Sequence, residues 1–284
     1  MLMDSQIKHD ALTPEEMVDK AGSIAINKAA LPILNLLPLS FLGGTYIAFG
    51  AVFASVVATG MPDVWPYGII KLLQGLAFSM GLILVVIGGG ELFTGNMLMV
   101  IALTQKKIGL LRLIHNWLIV YIGNFIGSVA VVLMIIFSKS YLASKGALGN
   151  LMVFTAIAKV QYGFSEALLL GIMCNIMVCL AIWLTYSGRT TTDKILAIIF
   201  PITFFIAAGF EHSVANMFII PMGLLLKTFD PLFVSSMALD LTQLTWPSFF
   251  LRNLLPVTLG NIIGGSFFVG ILYLWSYRKN KSVS

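Results

Sequence analysis

"GFEHSVANM", residues 209–217, sets a carboxylate and an imidazole, Glu211 and His212, inside one of the most apolar stretches of the chain. Ile195 to Phe210 carries no charge, and after Glu211 the next charge is Lys227. A second stretch, "GGELFTGNM" (89–97), encloses Glu91 in the same way. How these two segments cross or fail to cross an apolar phase decides the fold.

The surrounding composition says which phase that is. Of 284 residues, 58% are hydrophobic and 10% charged, whereas soluble domains run near a quarter charged. A water-soluble core of this size needs a far more polar skin, so the chain reads as an integral membrane protein. The first 28 residues mix both charge signs and lack the apolar core and cleavage site of a secretory signal. Cys174 and Cys179 share one apolar segment with no His or acid to complete a metal set, and they read as buried thiols. No metal or cofactor is expected. The net charge of +5 comes from short basic loops, which fit membrane orientation and not nucleic acid.

Charges punctuate the spans. Ala29–Pro62, Leu113–Ser138, Ala167–Gly188 and Asn253–Tyr277 are uncharged, and each supplies the about 20 apolar residues that one helical crossing needs. Two further apolar regions, Leu72–Gln105 and Ile195–Leu226, hold one charge each, Glu91 and Glu211. Each is too long for one crossing and too short for two. A helix that breaks at mid-depth and resumes fits both, with Gly88–Gly90 and Ala207–Gly209 as the local causes. Irregular backbone at that depth survives only under protein or beside a water-filled cavity. The expected fold is all-α, with six transmembrane helices, two of them broken mid-membrane.

Lys and Arg orient it. With the N-terminus inside, the inner side carries Lys8, Lys20, Lys28, Lys106, Lys107, Arg112, Arg189, Lys194, Arg278, Lys279 and Lys281. The outer side carries Lys71, Lys139, Lys145, Lys159, Lys227 and Arg252, which favours both termini in the cytoplasm. The expected division is a cytoplasmic segment 1–28, one membrane domain 29–277 and a cytoplasmic tail 278–284. Within the segment, Thr13-Pro14-Glu15-Glu16 opens an amphipathic helix lying on the membrane surface.

The two breaks align: Glu91 with Glu211, and Asn96-Met97 with Asn216-Met217. Downstream, "HNWLIVYIGNFIGS" (115–128) matches "RNLLPVTLGNIIGG" (252–265), so that Asn116 and Asn124 correspond to Asn253 and Asn261. The chain therefore reads as two three-helix repeats, about 29–138 and 163–277. Three crossings is an odd number, so the copies are inverted, with a pathway expected at their interface.

A Glu at a helix centre costs about 2.5–3.5 kcal/mol on insertion scales. Glu91 and Glu211, being matched, read as structural acceptors for N–H groups freed at the breaks. His212 aligns with Leu92 and is not demanded by symmetry; it is either a satisfied neutral side chain or a protonatable donor, with Thr94 as a neutral partner across the breaks. Asn175 and Asn261 either bond between helices or line a pore. Phe78, Leu82, Leu92, Phe93 and Phe205 are either packing residues or apolar constrictions.

Taken together, "GGELFTG" (89–95), "GIMCNIMVCLA" (171–181), "GFEHSVANMF" (209–218) and "PVTLGNIIGG" (256–265) resemble the formate–nitrite transporter family, and within it the formate channels. The resemblance implies an aquaporin-like fold and a homopentamer in which each protomer has its own pore. It implies a central histidine at His212, a partner threonine at Thr94, and pore asparagines at Asn175 and Asn261. It puts constrictions at Phe78, Leu82, Leu92, Phe93 and Phe205, and a vestibule lysine at Lys159. The implied substrate is formate or a similar small anion such as nitrite or hydrosulfide, carried across the inner (cytoplasmic) membrane in contact with lipid and no nucleic acid. Formate would cross partly or wholly as formic acid. An intramembrane enzyme lacks a nucleophile or metal set here, and a water channel predicts flux that ignores His212.

Overall fold

The computed structural model describes residues 11–277 except Asp63. The start of the N-terminal segment, with Lys8, and the expected tail 278–284 lie outside the described residues. No strand occurs among those described. Five helices are long and apolar enough to cross a membrane: α2 (Ile33–Ala58), α3 (Tyr67–Gly88), α5 (Leu110–Phe137), α7 (Phe164–Ser187) and α11 (Ser248–Ser276). Around them stand α1 (Pro14–Ala30), α8 (Thr191–Ala207), the short α10 (Pro231–Ser235) and three shorter apolar helices. Those three are α4 (Gly95–Thr104), α6 (Ala147–Val160) and α9 (Ser213–Phe229).

The two expected breaks are present, and both have the same construction. α3 stops at Gly88 and α8 at Ala207, each followed by a glycine at positive φ, Gly89 (86°) and Gly209 (75°). The left-handed turn lets the next N–H reach back: Gly90 N donates to Val85 O (2.9 Å) and Phe210 N to Phe205 O (3.0 Å). The chain then runs through a few residues without regular helix before α4 and α9 begin.

α1 starts as the capping motif requires. Glu16 N donates to Thr13 Oγ1 (3.4 Å) and Thr13 N to Glu16 Oε2 (2.9 Å). Its apolar face, with Met17, Val18, Ala21 and Ala25, is covered by the protein's own helices. Lys20 Nζ bonds Tyr186 O (2.8 Å), so α1 docks on the end of α7. The amphipathicity read from sequence therefore serves an intramolecular contact.

α6 is an addition. The span between the two expected repeats reads as an outer loop by its lysines, yet Leu148, Met152, Val153, Ala156 and Val160 are buried, and α6 packs on α9. A 14-residue helix with Lys159 in its last turn escapes a search for full-length spans.

α2 packs on α5 and α3, and α7 packs on α11 and α8. These contacts are close because glycine lines them. A Cβ at Gly44 would overlap the Asn124 backbone carbonyl, and one at Gly264 the carbonyl of Ile172. Backbone cannot swing aside as a flexible side chain can, so Gly44→Ala is expected to abolish recovery of folded protein, read as loss of the monodisperse peak after detergent extraction. Gly68→Ala, which meets nothing within 4 Å, is the control, and its melting temperature should hold or rise slightly, since Ala is favoured in a helix by about 1 kcal/mol.

Candidate functional site

Each break is closed by one asparagine acting on both sides of the loop. Asn124 Nδ2 donates to Glu91 O (2.8 Å) and Ser40 O (2.7 Å), while its Oδ1 accepts from Phe93 N (2.9 Å). Asn261 does the same: its Nδ2 donates to Glu211 O (3.0 Å) and Gly171 O (2.8 Å), and its Oδ1 accepts from Ser213 N (2.9 Å). Both side chains are fully buried. An amide carries donor and acceptor together, so one residue satisfies a loop N–H and C=O that lipid would leave orphaned.

At each break one freed N–H goes to an asparagine and another to a backbone carbonyl, Glu91 N to Leu39 O (2.9 Å) and Glu211 N to Leu170 O (3.3 Å), a different arrangement from the one the sequence suggested for Glu91 and Glu211. The carboxylates can only accept, and as buried charges they need cations. Glu91 takes Lys28 (2.6 Å) and Asn96 Nδ2 (2.8 Å), and Glu211 takes Lys159 and Asn216 Nδ2 (2.7 Å). Behind them Asn96 bonds Asn116 and Asn216 bonds Asn253, 2.8 and 2.7 Å. Asn116 then holds Lys28 O (3.2 Å) and Asn253 holds Lys159 O (2.8 Å). Lys28 thus matches Lys159 bond for bond, which sequence alone did not indicate. The available signal was the demand itself: if Glu211 has a lysine, its twin Glu91 needs one.

Thr94 and His212 meet where the two breaks face each other. Thr94 Oγ1 lies 2.9 Å from His212 Nε2, and both residues are buried. His212 Nδ1 accepts from Ala215 N (3.0 Å), so the imidazole caps α9. That bond assigns the neutral ring's hydrogen to Nε2, directed at Thr94 Oγ1. The Thr94 hydroxyl hydrogen is then left free to donate. From behind, Asn175 Nδ2 (3.1 Å) and Cys179 Sγ (3.4 Å) donate to Thr94 O. Asn175 Nδ2 also reaches Asn261 O (2.6 Å) and so ties the first break to α11.

Three cavities run in series through this point. One of about 120 Å³ is lined by Lys71, Gln74, Thr155, Lys159, Phe78, Phe205 and His212 among others. One of about 220 Å³ is lined by Lys28, Glu91, Leu92, Asn96 and Tyr186 among others. Between them a void with no room for a water-sized sphere is walled by Phe78, Leu82, Leu92, Phe205 and His212. Phe78 meets Phe205 edge-on at 5.6 Å, and Phe205 lies 5.9 Å from the His212 ring. Thr94, Asn175 and Asn261 line none of the three; Thr94 reaches the void through its bond to His212, and the Nδ2 groups of the two asparagines donate to backbone carbonyls. Phe93, grouped with the constrictions by resemblance, also stands apart. Its ring packs on Tyr121 (4.7 Å) and Trp117 (6.3 Å) beside an outward-facing groove.

An apolar helical body with charged cavities on either side of a closed hydroxyl–imidazole pair has the architecture of a membrane channel or transporter. The family model for formate/nitrite transporters matches residues 15–275, and the chain belongs to that family. It is 41% identical over 274 residues to the formate channel FocA of Escherichia coli K12, covering 95% of this chain and 96% of that one. It is 42% identical to the formate channel FocA of Haemophilus influenzae, covering 92% and 93%. A solved pentameric formate channel with formate bound superposes with a TM-score of 0.79 at 41% identity, over 87% of this chain and 98% of that one.

Proposed function

We propose that the protein conducts formate across the inner membrane, as a homopentamer with one pore in each protomer and both termini cytoplasmic. The observation that carries this is His212, bonded to Thr94 and lining a slot too narrow for water between two lysine-bearing cavities. The names of the relatives supply the substrate. Nothing about the site favours nitrite or hydrosulfide over formate.

The physics runs from either mouth inward. Positive charge at the mouth that holds Lys71 and Lys159 gathers a small anion. Phe78 with Phe205 on one side, and Leu92 on the other, strip its water, which makes passage of the bare anion costly. At the narrowest point Thr94 O–H and His212 Nε2–H are the donors within reach, so formate exchanges hydration for one or both. A second proton on His212 must go to Nδ1, and there it breaks the cap on Ala215 N. Hydrogen-bond donation is therefore the easier act at this site. Passage as formic acid draws its proton from the aqueous mouth and becomes more frequent as pH falls.

We further propose six crossings in two inverted repeats around this site, with an aquaporin-like course. The first repeat counts α3 with α4 as one broken helix, and the second counts α8 with α9. The matched ion pairs extend the correspondence to α1 and α6, so the repeats reach outside the limits 29–138 and 163–277 drawn from sequence.

The test is uptake of isotopically labelled formate into proteoliposomes, against nitrite and hydrosulfide, from weakly acidic to neutral pH. Formate should lead and its flux should rise toward acid. Faster nitrite or hydrosulfide flux would overturn the assignment.

A further inference from the structure

The two charged cavities differ in electrical balance. In the cavity at Lys28, that lysine and Glu91 both line the wall and are paired to each other, so the formal charges cancel. The cavity at Lys159 is lined by two lysines, Lys159 and Lys71. Lys159 is bound to the buried Glu211, and its charge is taken up there. Lys71 has no carboxylate partner among the described residues. Its ammonium lies 5.5 Å from the centre of the Tyr67 ring, a contact that holds the head group without neutralising it.

One turn along α3, Gln74 lines the same cavity, and its carboxamide is not engaged by any hydrogen bond among the described residues. The neighbouring hydroxyls are not competing donors. Ser55 Oγ donates to Ala51 O (2.9 Å) and Thr155 Oγ1 to Leu151 O (2.7 Å). The cavity therefore presents one uncompensated cation and one free amide, three residues apart and on the same side of α3.

We propose that Lys71 and Gln74 form an anion-recruiting site in this cavity, separate from the Lys159–Glu211 pair and preceding the Phe78–Phe205 slot. It takes a small monovalent carboxylate with part of its water still attached. A lone ammonium is a tolerant point charge, and a half-hydrated contact is weak enough to release its anion inward, as conduction requires. The asymmetry makes loading from this mouth easier than from the Lys28 mouth. Lys159 acts chiefly in holding the break, and Lys71 does the collecting.

This rests on the transport reading, and the experiment separates the two. Formate flux from the Lys71 side is measured in oriented proteoliposomes for wild type, Lys71→Gln and Lys71→Arg, at low and high ionic strength. Lys71→Gln should raise the half-saturating formate concentration about threefold to tenfold at low salt and leave the limiting flux unchanged, with high salt erasing the difference. Lys71→Arg should behave as wild type. An unchanged half-saturation in Lys71→Gln, or a fall in limiting flux alone, overturns the site. In parallel, line broadening of carbon-13 formate is recorded on detergent-solubilised wild type and Lys71→Gln. If wild type carries no formate, the transport reading fails, and the broadening judges the site by itself. Broadening lost in Lys71→Gln supports it, and equal broadening overturns it.

Discussion

Lys159→Met is expected to remove most of the folded protein, and Lys159→Met combined with Glu211→Gln to return much of it. Glu211 is 0% exposed, and its carboxylate is held by Lys159, Asn216 and Asn253. Removing the lysine leaves a buried charge with only neutral donors, a change worth about 3–5 kcal/mol, a large share of a typical domain's margin. Glutamine in place of Glu211 removes that charge and keeps an oxygen for the asparagines. The measurement is thermal unfolding in detergent, followed by size-exclusion chromatography of the surviving fraction. A single variant as stable as wild type would show that the ion pair does not hold the second break. The matched substitution Lys28→Met should cost less, because the Lys28 side chain is 25% exposed and water can replace it at Glu91. Flux through the stable double variant then tells whether Lys159 also acts on the anion.

Thr94→Val and His212→Asn are expected to lower formate flux about tenfold or more while leaving the protein folded, since a hydrogen bond to a charged group is worth about 1.5–3 kcal/mol. Valine keeps the volume of threonine without its donor. Asparagine retains a side-chain oxygen that can cap Ala215 N, so the start of α9 survives the loss of the imidazole. His212→Ala removes donor and cap together and should also lose about 1 kcal/mol of stability. The pH profile discriminates further. If passage as formic acid draws its proton from the aqueous mouth, the residual flux in His212→Asn still rises toward acid. A residual flux indifferent to pH would instead make the imidazole the proton source. Full flux in both Thr94→Val and His212→Asn would would sink the donor role altogether.

Much of this architecture was legible in the chain. Charges spaced along apolar runs marked the long helices, and the two runs of intermediate length marked the breaks, because a helix rises by a fixed amount per residue and a bilayer has a fixed thickness. The glycines at those breaks supplied the positive φ that other residues resist. The paired asparagines were visible as a spacing repeated in both halves, although their task was not. Spacing shows that Asn124 and Asn261 correspond, but an amide can bond across helices, line a pore or close a loop, and which of these happens depends on what lies opposite.

The sequence by itself determined that this is a helical membrane protein whose apolar runs hold two interruptions, with matched asparagines near each and one histidine that has no counterpart. Those properties depend on local chemistry and on periodicity. Tertiary structure decided the partners. It brought Lys28 and Lys159 to the two glutamates and made a helix of the α6 segment. It turned Phe93 away from the slot and left Lys71 as the unbalanced charge at one mouth. Each of these depends on groups far apart in the chain being forced together by burial, where an unpaired charge costs a large share of the folding margin.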